Sequence, residues 1–191
     1  SVEETGSTNA DLLNLATQGA PDGLWLRADR QSAGKGRMGR DWQSSIGNFY
    51  GSTLVRLRPE DTLAPTLAFV AALAVYDALK EVAPQVDLLI KWPNDILSGG
   101  AKISGILLER RDDAVIIGMG INLAFHPQGL GRPVTSLSAL GVKPPTAQAF
   151  QPVLACCLSH WLGLWRGGGL PDILAAWQAR AHAKGTPLFV H

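Results

Sequence analysis

Apolar positions recur along the chain with two periods, and the switches between them mark the elements. Leu12, Leu13, Leu15 and Ala16 follow Ser7, Thr8 and Asn9 at helical spacing, so a Ser/Thr/Asn cap predicts a short helix that Gly19, Pro21 and Gly23 stop. Residues 24–28 and 49–57 read as strands, and residues 30–47 between them carry Gly, Ser and basic side chains with no apolar period. A loop of that length inside a compact domain is usually functional or disordered. The strongest helical pattern covers residues 63–83, rich in Ala and Leu and ended by Pro84. Runs at 88–91, 103–109 and 114–121 are strand-like. Their polar links are too short for helical crossovers, which predicts an antiparallel meander. Residues 124–145 form a second Gly- and Pro-rich loop, broken at 136–140. Thr146 then predicts the cap of a helix to about Arg166, and Pro171 opens another to about Lys184.

Strands and helices are therefore not alternated as in a doubly wound sheet. The predicted class is α+β, with a single mixed, largely antiparallel β-sheet and flanking helices. A length of 191 residues predicts one domain, taken as residues 1–185, with residues 186–191 looking like the start of a further strand.

Charge narrows the function classes. Lys plus Arg at 17 against Asp plus Glu at 16 gives a net charge of +1, so no global field favours nucleic acid or an anionic membrane. Cys156 and Cys157 are adjacent inside an apolar helical stretch, which excludes a disulfide framework and predicts a reducing compartment with buried structural thiols. The apolar run at 67–76 is well short of the roughly 20 residues that span a bilayer, and residues 1–9 carry two Glu and no apolar run, unlike a signal peptide. The expectation is a soluble intracellular protein. Glycine is over-used, with 21 residues where an average chain of this length carries about 13, so many positions need a bend or a close backbone approach.

The segment Gly34-Lys35-Gly36-Arg37-Met38-Gly39-Arg40 sets three cations among glycines, whose free N–H groups can face an anion such as phosphate. As a string it matches GxGxxG after a strand, but residues 41–48 have no helical period, and dinucleotide binding needs a helix N-terminus there. No Gly-Lys-Ser/Thr follows, so it is not a Walker A loop. A flexible solvated loop is the bland alternative. Further along, Lys91-Trp92-Pro93-Asn94-Asp95-Ile96 presents an amide and a carboxylate just after a strand, Lys102 opens the apolar run to Glu109 with Gly105 inside it, and Gly118-Met119-Gly120-Ile121-Asn122 closes the next. Taken singly these read as a turn, an edge charge and a bulge.

In order, Gly6 to Asn9, Gln31 to Arg40, Lys91 to Ile96, Lys102 to Glu109 and Gly118 to Asn122 resemble the catalytic domain of biotin protein ligase, of the monofunctional type without an N-terminal DNA-binding domain. The resemblance implies the fold shared by biotin and lipoate ligases and class II aminoacyl-tRNA synthetases. It also implies the activity: biotin and ATP give biotinyl-5′-AMP and pyrophosphate, and biotin then passes to a lysine of the biotin carboxyl carrier protein of a carboxylase. By the same resemblance Ser7, Thr8, Asn9, Gln31, Lys35, Gly36, Arg37, Lys102 and Gly105 contact biotin, and Arg37, Arg40, Trp42, Asn94, Lys102 and Asn122 contact ATP. Asn94 and Asn122 lie near Mg²⁺, and the catalytic residues are Lys102, Arg37 and Asp95. Lys102 would bridge the biotin carboxylate and the α-phosphate, Trp42 would stack on adenine, and Asp95 would orient or deprotonate the acceptor lysine. The expected setting is cytoplasmic, without nucleic-acid or membrane partners, and with a homodimer left open.

The chain departs from the family pattern in three places. Lys35 stands where the loop usually has its first Arg, which keeps the charge and loses the planar fork. The β-rich SH3-type domain that many members carry would begin near residue 186. No helix-turn-helix precedes Ser7, so DNA binding is not expected. The alternatives are a lipoate ligase, an octanoyl transferase using a cysteine nucleophile, and a non-catalytic biotin or nucleotide sensor; retention of Lys102 and Asp95 weighs against the last.

Overall fold

The computed structural model describes residues 1–183, 185 and 186. Its strands are β1 (Val2–Thr5), β2 (Trp25–Gln31), β3 (Phe49–Arg56), β4 (Leu89–Lys91), β5 (Asp95–Ser98), β6 (Ala101–Arg111) and β7 (Ala114–Ile121). Its helices are α1 (Thr8–Thr17), α2 (Leu67–Val82), α3 (Ala147–Arg166) and α4 (Leu170–Arg180). The strands form one sheet in the order β1-β2-β3-β7-β6-β5-β4, parallel between β1 and β2 and antiparallel elsewhere, so the expected α+β class and the mixed sheet hold.

The two-residue period of the strands divides the sheet into two chemically different faces. Val55, Val115, Ile117, Met119 and Ile121 point to one side and join the core built by α2, α3 and α4. There α2 buries nine side chains, Phe49 meets Phe150 edge-on at 5.6 Å, and the fully buried Trp165 donates its indole N–H to Thr66 Oγ1 at 2.7 Å. On the other side Leu54, Ala114 and Ile116 pack against Leu12 and Ala16 of α1. Further along that face the side chains shrink to Ser52, Gly118, Gly120 and Gly105. The register pairs Ser52 with Gly118, Leu107 with Gly118 and Gly105 with Gly120, so these positions lie side by side beyond the reach of α1.

Several expectations need correction. β1 went unread because its residues are mostly exposed and carry no apolar alternation, while it is held by pairing to β2. Asn94 and Asp95 are turn residues and predict a turn; in the structure Asp95 starts a strand that returns through Gly99 and Gly100 into β6, giving the meander a fourth strand. The 63–83 helix starts as a separate 3-10 turn at Ala64–Thr66, and α4 ends at Arg180. Ser7 has the extended backbone of an N-cap but no capping side-chain bond, because Thr8 and Asn9 turn toward the sheet. Thr146 does cap α3, accepting from the Ala149 N–H at 3.1 Å. Cys156 is exposed rather than buried and Cys157 is half-buried, since α3 shows that side of its stripe to solvent. Of the 186–191 stretch, residues 187–191 lie outside the described residues.

Candidate active site

The face of small residues is the floor of a cavity of about 220 Å³. Its walls are the start of α1, the 31–42 loop, the link from β4 to β5 and the 132–133 segment. Of the residues expected to contact biotin or ATP or to act in catalysis, all but Asn122 line it.

At one end Ser7, Thr8 and Asn9 are buried under a connected set of polar groups. The Thr8 N–H donates to Gln31 Oε1 at 2.9 Å, Thr8 Oγ1 lies 2.6 Å from Ser52 Oγ, and Ser52 donates to Asn9 Oδ1 at 2.6 Å. Asn9 Nδ2 donates to Glu109 Oε2 at 2.8 Å and more weakly to the Leu107 carbonyl at 3.4 Å. Gly118 is required beneath them, since a Cβ there would overlap the Asn9 carboxamide.

At the other end Lys102 is held by its backbone. Its N–H donates to the Pro133 carbonyl at 3.0 Å, and its own carbonyl accepts from Thr135 at 2.9 Å. Its ammonium lies 2.6 Å from Asp95 Oδ1 and 5.3 Å from the centre of the Trp42 ring. Burial holds the Lys102 pKa below the ordinary lysine range; Asp95 pulls it back up, and Arg132 and Arg40 press it further down. The approach to Asp95 is off the hydrogen-bonding direction, so Asp95 Oδ1 is matched by charge and has no aligned donor.

Trp42 lies flat over the glycine floor. A Cβ on Gly120 would come within 2.5 Å of its ring and one on Gly105 within 2.8 Å, so these two positions admit no side chain while Trp42 stays. Its indole N–H is buried without a partner. The loop before it is a closed turn: the Gly36 N–H donates to the Arg40 carbonyl at 2.7 Å and the Trp42 N–H to the Gly34 carbonyl at 2.9 Å. Met38 and Gly39 reverse the chain with φ of 58° and 71°. Lys35, Arg37 and Arg40 are exposed along the rim, and Arg37 reaches Asn94 Oδ1 at 3.5 Å.

Asn94 donates to the Ile106 carbonyl at 2.7 Å and so staples β5 to β6. Asn122 lies outside the main cavity, in a side pocket of about 20 Å³ shared with Trp42, Lys102 and Arg132. It is buried, and its amide nitrogen donates to the Thr135 carbonyl at 3.0 Å, which fastens the second long loop. Sequence reading missed Ser52, Arg132 and the contact role of Glu109. Ser52 reads as one more polar residue in a strand, and Arg132 sits in a loop without periodicity. Among the described residues no three His, Cys, Asp or Glu side chains form a metal cluster, and no helix is long and apolar enough to cross a membrane.

Sheet and cavity together define an α+β protein with a cationic, glycine-floored cleft on a mixed, largely antiparallel sheet. The chain belongs to the biotin/lipoate A/B protein ligase family, whose model matches residues 2–122. It is 39% identical to the biotin–[acetyl-CoA-carboxylase] ligase of Paracoccus denitrificans, covering 98% of this chain and 82% of that protein. The corresponding ligase of Mycobacterium tuberculosis is 36% identical over 97% of this chain and 71% of its own length. Among solved structures, the biotin protein ligase of Aquifex aeolicus in complex with biotin and ATP superposes with a TM-score of 0.83 at 29% identity, over 94% of this chain and 76% of that one. The Leishmania major enzyme in complex with biotinyl-5-AMP gives 0.85 at 27% identity, over 100% and 83%.

Proposed function

We propose that the chain is an ATP-dependent biotin protein ligase. It joins the biotin carboxylate to the α-phosphate of ATP, with the bond to pyrophosphate breaking, and then transfers the biotinyl group to a lysine amine with loss of AMP and one proton. The acceptor we assign is the biotin carboxyl carrier protein of a carboxylase, in keeping with the names of the relatives at 39% and 36% identity.

One observation carries the reading: a buried lysine, Lys102, stands at the inner end of a cleft with a polar, hydrogen-bonded pocket at the other end and arginines along its rim. In adenylation two anions must meet, so the groups that help most are fixed cations where charge accumulates. Lys102 is held by its backbone for that task, and Arg37, Arg40 and Lys35 would supply further positive charge from the turn. Ser7, Thr8, Asn9, Gln31 and the backbone at Gly36 would take the ureido ring, with Gly105 leaving room for the chain of the acid. Trp42 would cover the nucleotide. Asp95 would accept a hydrogen bond or the proton from the incoming lysine once Lys102 turns to the phosphate.

Mg²⁺ fits ATP better than it fits this chain. Magnesium is usually held by one or two carboxylates together with substrate phosphates. Asn122 donates its amide nitrogen to a loop carbonyl and keeps its oxygen, Asn94 Oδ1 faces Arg37, and no carboxylate cluster accompanies them among the described residues, so the pair makes no protein cage, and we assign neither as a ligand that binds metal without nucleotide.

The test is exchange of labelled pyrophosphate into ATP. The expected result is exchange that requires biotin; exchange supported by lipoate and not by biotin would place the chain on the lipoate branch of its family, and biotin binding without exchange would make it a sensor.

A further inference from the structure

Glu109 is outside the cavity lining, yet it is joined to the lining through a direct hydrogen bond from Asn9. Asn9 Nδ2 faces two groups, the Glu109 carboxylate at 2.8 Å and the Leu107 carbonyl at 3.4 Å. Both only accept hydrogen bonds, so the NH₂ of Asn9 is fixed on that side and its oxygen on the other. Asn9 Oδ1 therefore faces Ser52, which must donate to it at 2.6 Å. Ser52 has no second proton, so its contact with Thr8 Oγ1, also 2.6 Å, takes the proton of Thr8. Gln31 Oε1 lies farther from Thr8 Oγ1, at 3.1 Å, and is already supplied by the Thr8 N–H. The single hydroxyl proton of Thr8 is thus directed inward, and what Thr8 offers the cavity is a lone pair.

We propose that Glu109 is a positioning residue that, through Asn9 and Ser52, sets Thr8 as a hydrogen-bond acceptor and so makes the pocket select a ligand with an N–H donor at that point. A cyclic urea carries such a donor. Replacing the ligand N–H by N–CH₃ leaves the Thr8 lone pair facing a methyl group, and leaving a buried polar group unmatched costs roughly tenfold or more in affinity. The inference rests on the biotin ligase reading above.

The experiment compares biotin with biotin methylated at one ureido nitrogen, in biotin-dependent pyrophosphate exchange, for the wild type, Glu109→Leu, Glu109→Gln and Ser52→Ala. Glu109→Leu is expected to raise the biotin KM about tenfold while kcat and the KM for ATP change less than about threefold, because the relay ends on the biotin side. The preference for biotin over its methylated form should shrink. Glu109→Gln keeps an acceptor for Asn9 and should return both values to within about threefold of wild type. Ser52→Ala cuts the relay at its middle and should repeat the loss; it is the deciding variant if thermal unfolding shows that Glu109→Leu does not fold. The proposal is overturned if the biotin KM of the Leu variant stays within about twofold, if both ligands weaken equally, or if Gln is as impaired as Leu. A wild type without biotin-dependent exchange overturns the functional reading and this inference with it, whereas an active wild type with unaffected variants removes only the inference.

Discussion

Lys102 and Asp95 form a 2.6 Å ion pair across the ends of β6 and β5, so before any ligand arrives the buried ammonium is neutralised by a carboxylate that we assign to a later step. On the proposed roles, incoming phosphate would take Lys102 from Asp95, and the release would free Asp95 to receive the acceptor amine. The two half-reactions then become separable by mutation. Lys102→Ala is expected to lower pyrophosphate exchange by about 10²- to 10³-fold, the range for losing one fixed group that stabilises developing charge. Asp95→Asn should retain measurable exchange and lose most transfer to an acceptor domain. Equal losses of exchange and transfer in Asp95→Asn would contradict the division of labour.

The same pair sets a pH dependence. Burial lowers the Lys102 pKa, so as pH rises Lys102 loses its proton earlier than an exposed lysine would. The alkaline limb of kcat/KM for exchange, which reports the free enzyme, should fall below the ordinary lysine range. Asp95 raises the Lys102 pKa, so Asp95→Asn should move that limb to still lower pH. Stability follows the matching sign. Between the lowered folded value and the ordinary unfolded one, the unfolded chain binds more protons, so this contribution is present at high pH and is lost as pH falls through the folded value. Urea unfolding of wild type and Lys102→Met across alkaline pH checks it; a wild-type curve that does not gain on the variant as pH rises in that window would contradict the shift.

Gly118 and Gly120 occupy alternate positions of β7 and point to the same face, but each makes room for a different partner. A Cβ on Gly118 would overlap Asn9, whereas one on Gly120 would press on Trp42. Gly118→Ala is expected to raise the biotin KM, and Gly120→Ala the ATP KM. Stacking on an aromatic ring is worth about 1–3 kcal/mol, which bounds the Trp42 effect at roughly 5- to 150-fold. Steady-state titration of each substrate separates the two, and a reversed pattern would contradict the assignment of the two ends.

How far the sequence carried can be judged from these residues. Helix α2 was legible because its apolar positions and Pro84 give both period and stop, and β7 because a run of eight residues between polar links has few other readings. The glycine-rich turn and Lys102 were legible as chemistry only together, because each alone has an ordinary structural use and the order of five such segments along the chain does not. Ser52, Arg132 and the work done by Glu109 were not, since their meaning is a register: Ser52 matters because β3 sets it opposite Gly118, under Asn9. Likewise β1 is stabilised by pairing to β2 and not by its own pattern. Asn122 is placed at the nucleotide only by the family resemblance; its position in a side pocket with Trp42 and Lys102, its amide nitrogen bonded to a loop carbonyl, follows from how the second long loop closes.

Cys156 and Cys157 lie side by side on α3, remote in contact from the cavity, and their environments differ enough to be told apart chemically. Burial pushes the Cys157 thiol up to about 11, with Asp77 and Glu81 adding to the shift by opposing a second negative charge nearby. At pH 8 only about one Cys157 in a thousand is then a thiolate, and the thiolate is the reactive form. Cys156 is exposed and should be alkylated first by iodoacetamide, with peptide mapping as the readout. A thiol nucleophile of the kind an octanoyl transferase needs would sit in the cleft and carry a depressed pKa, and Cys157 shows the opposite. The double variant Cys156→Ser/Cys157→Ser is accordingly expected to keep exchange and transfer within about twofold of wild type, since neither side chain lines the cavity and thiol-to-hydroxyl replacement at an exposed and a half-buried position is a small change. Loss of acyl transfer in that variant, with its unfolding temperature unchanged, would bring a cysteine mechanism back.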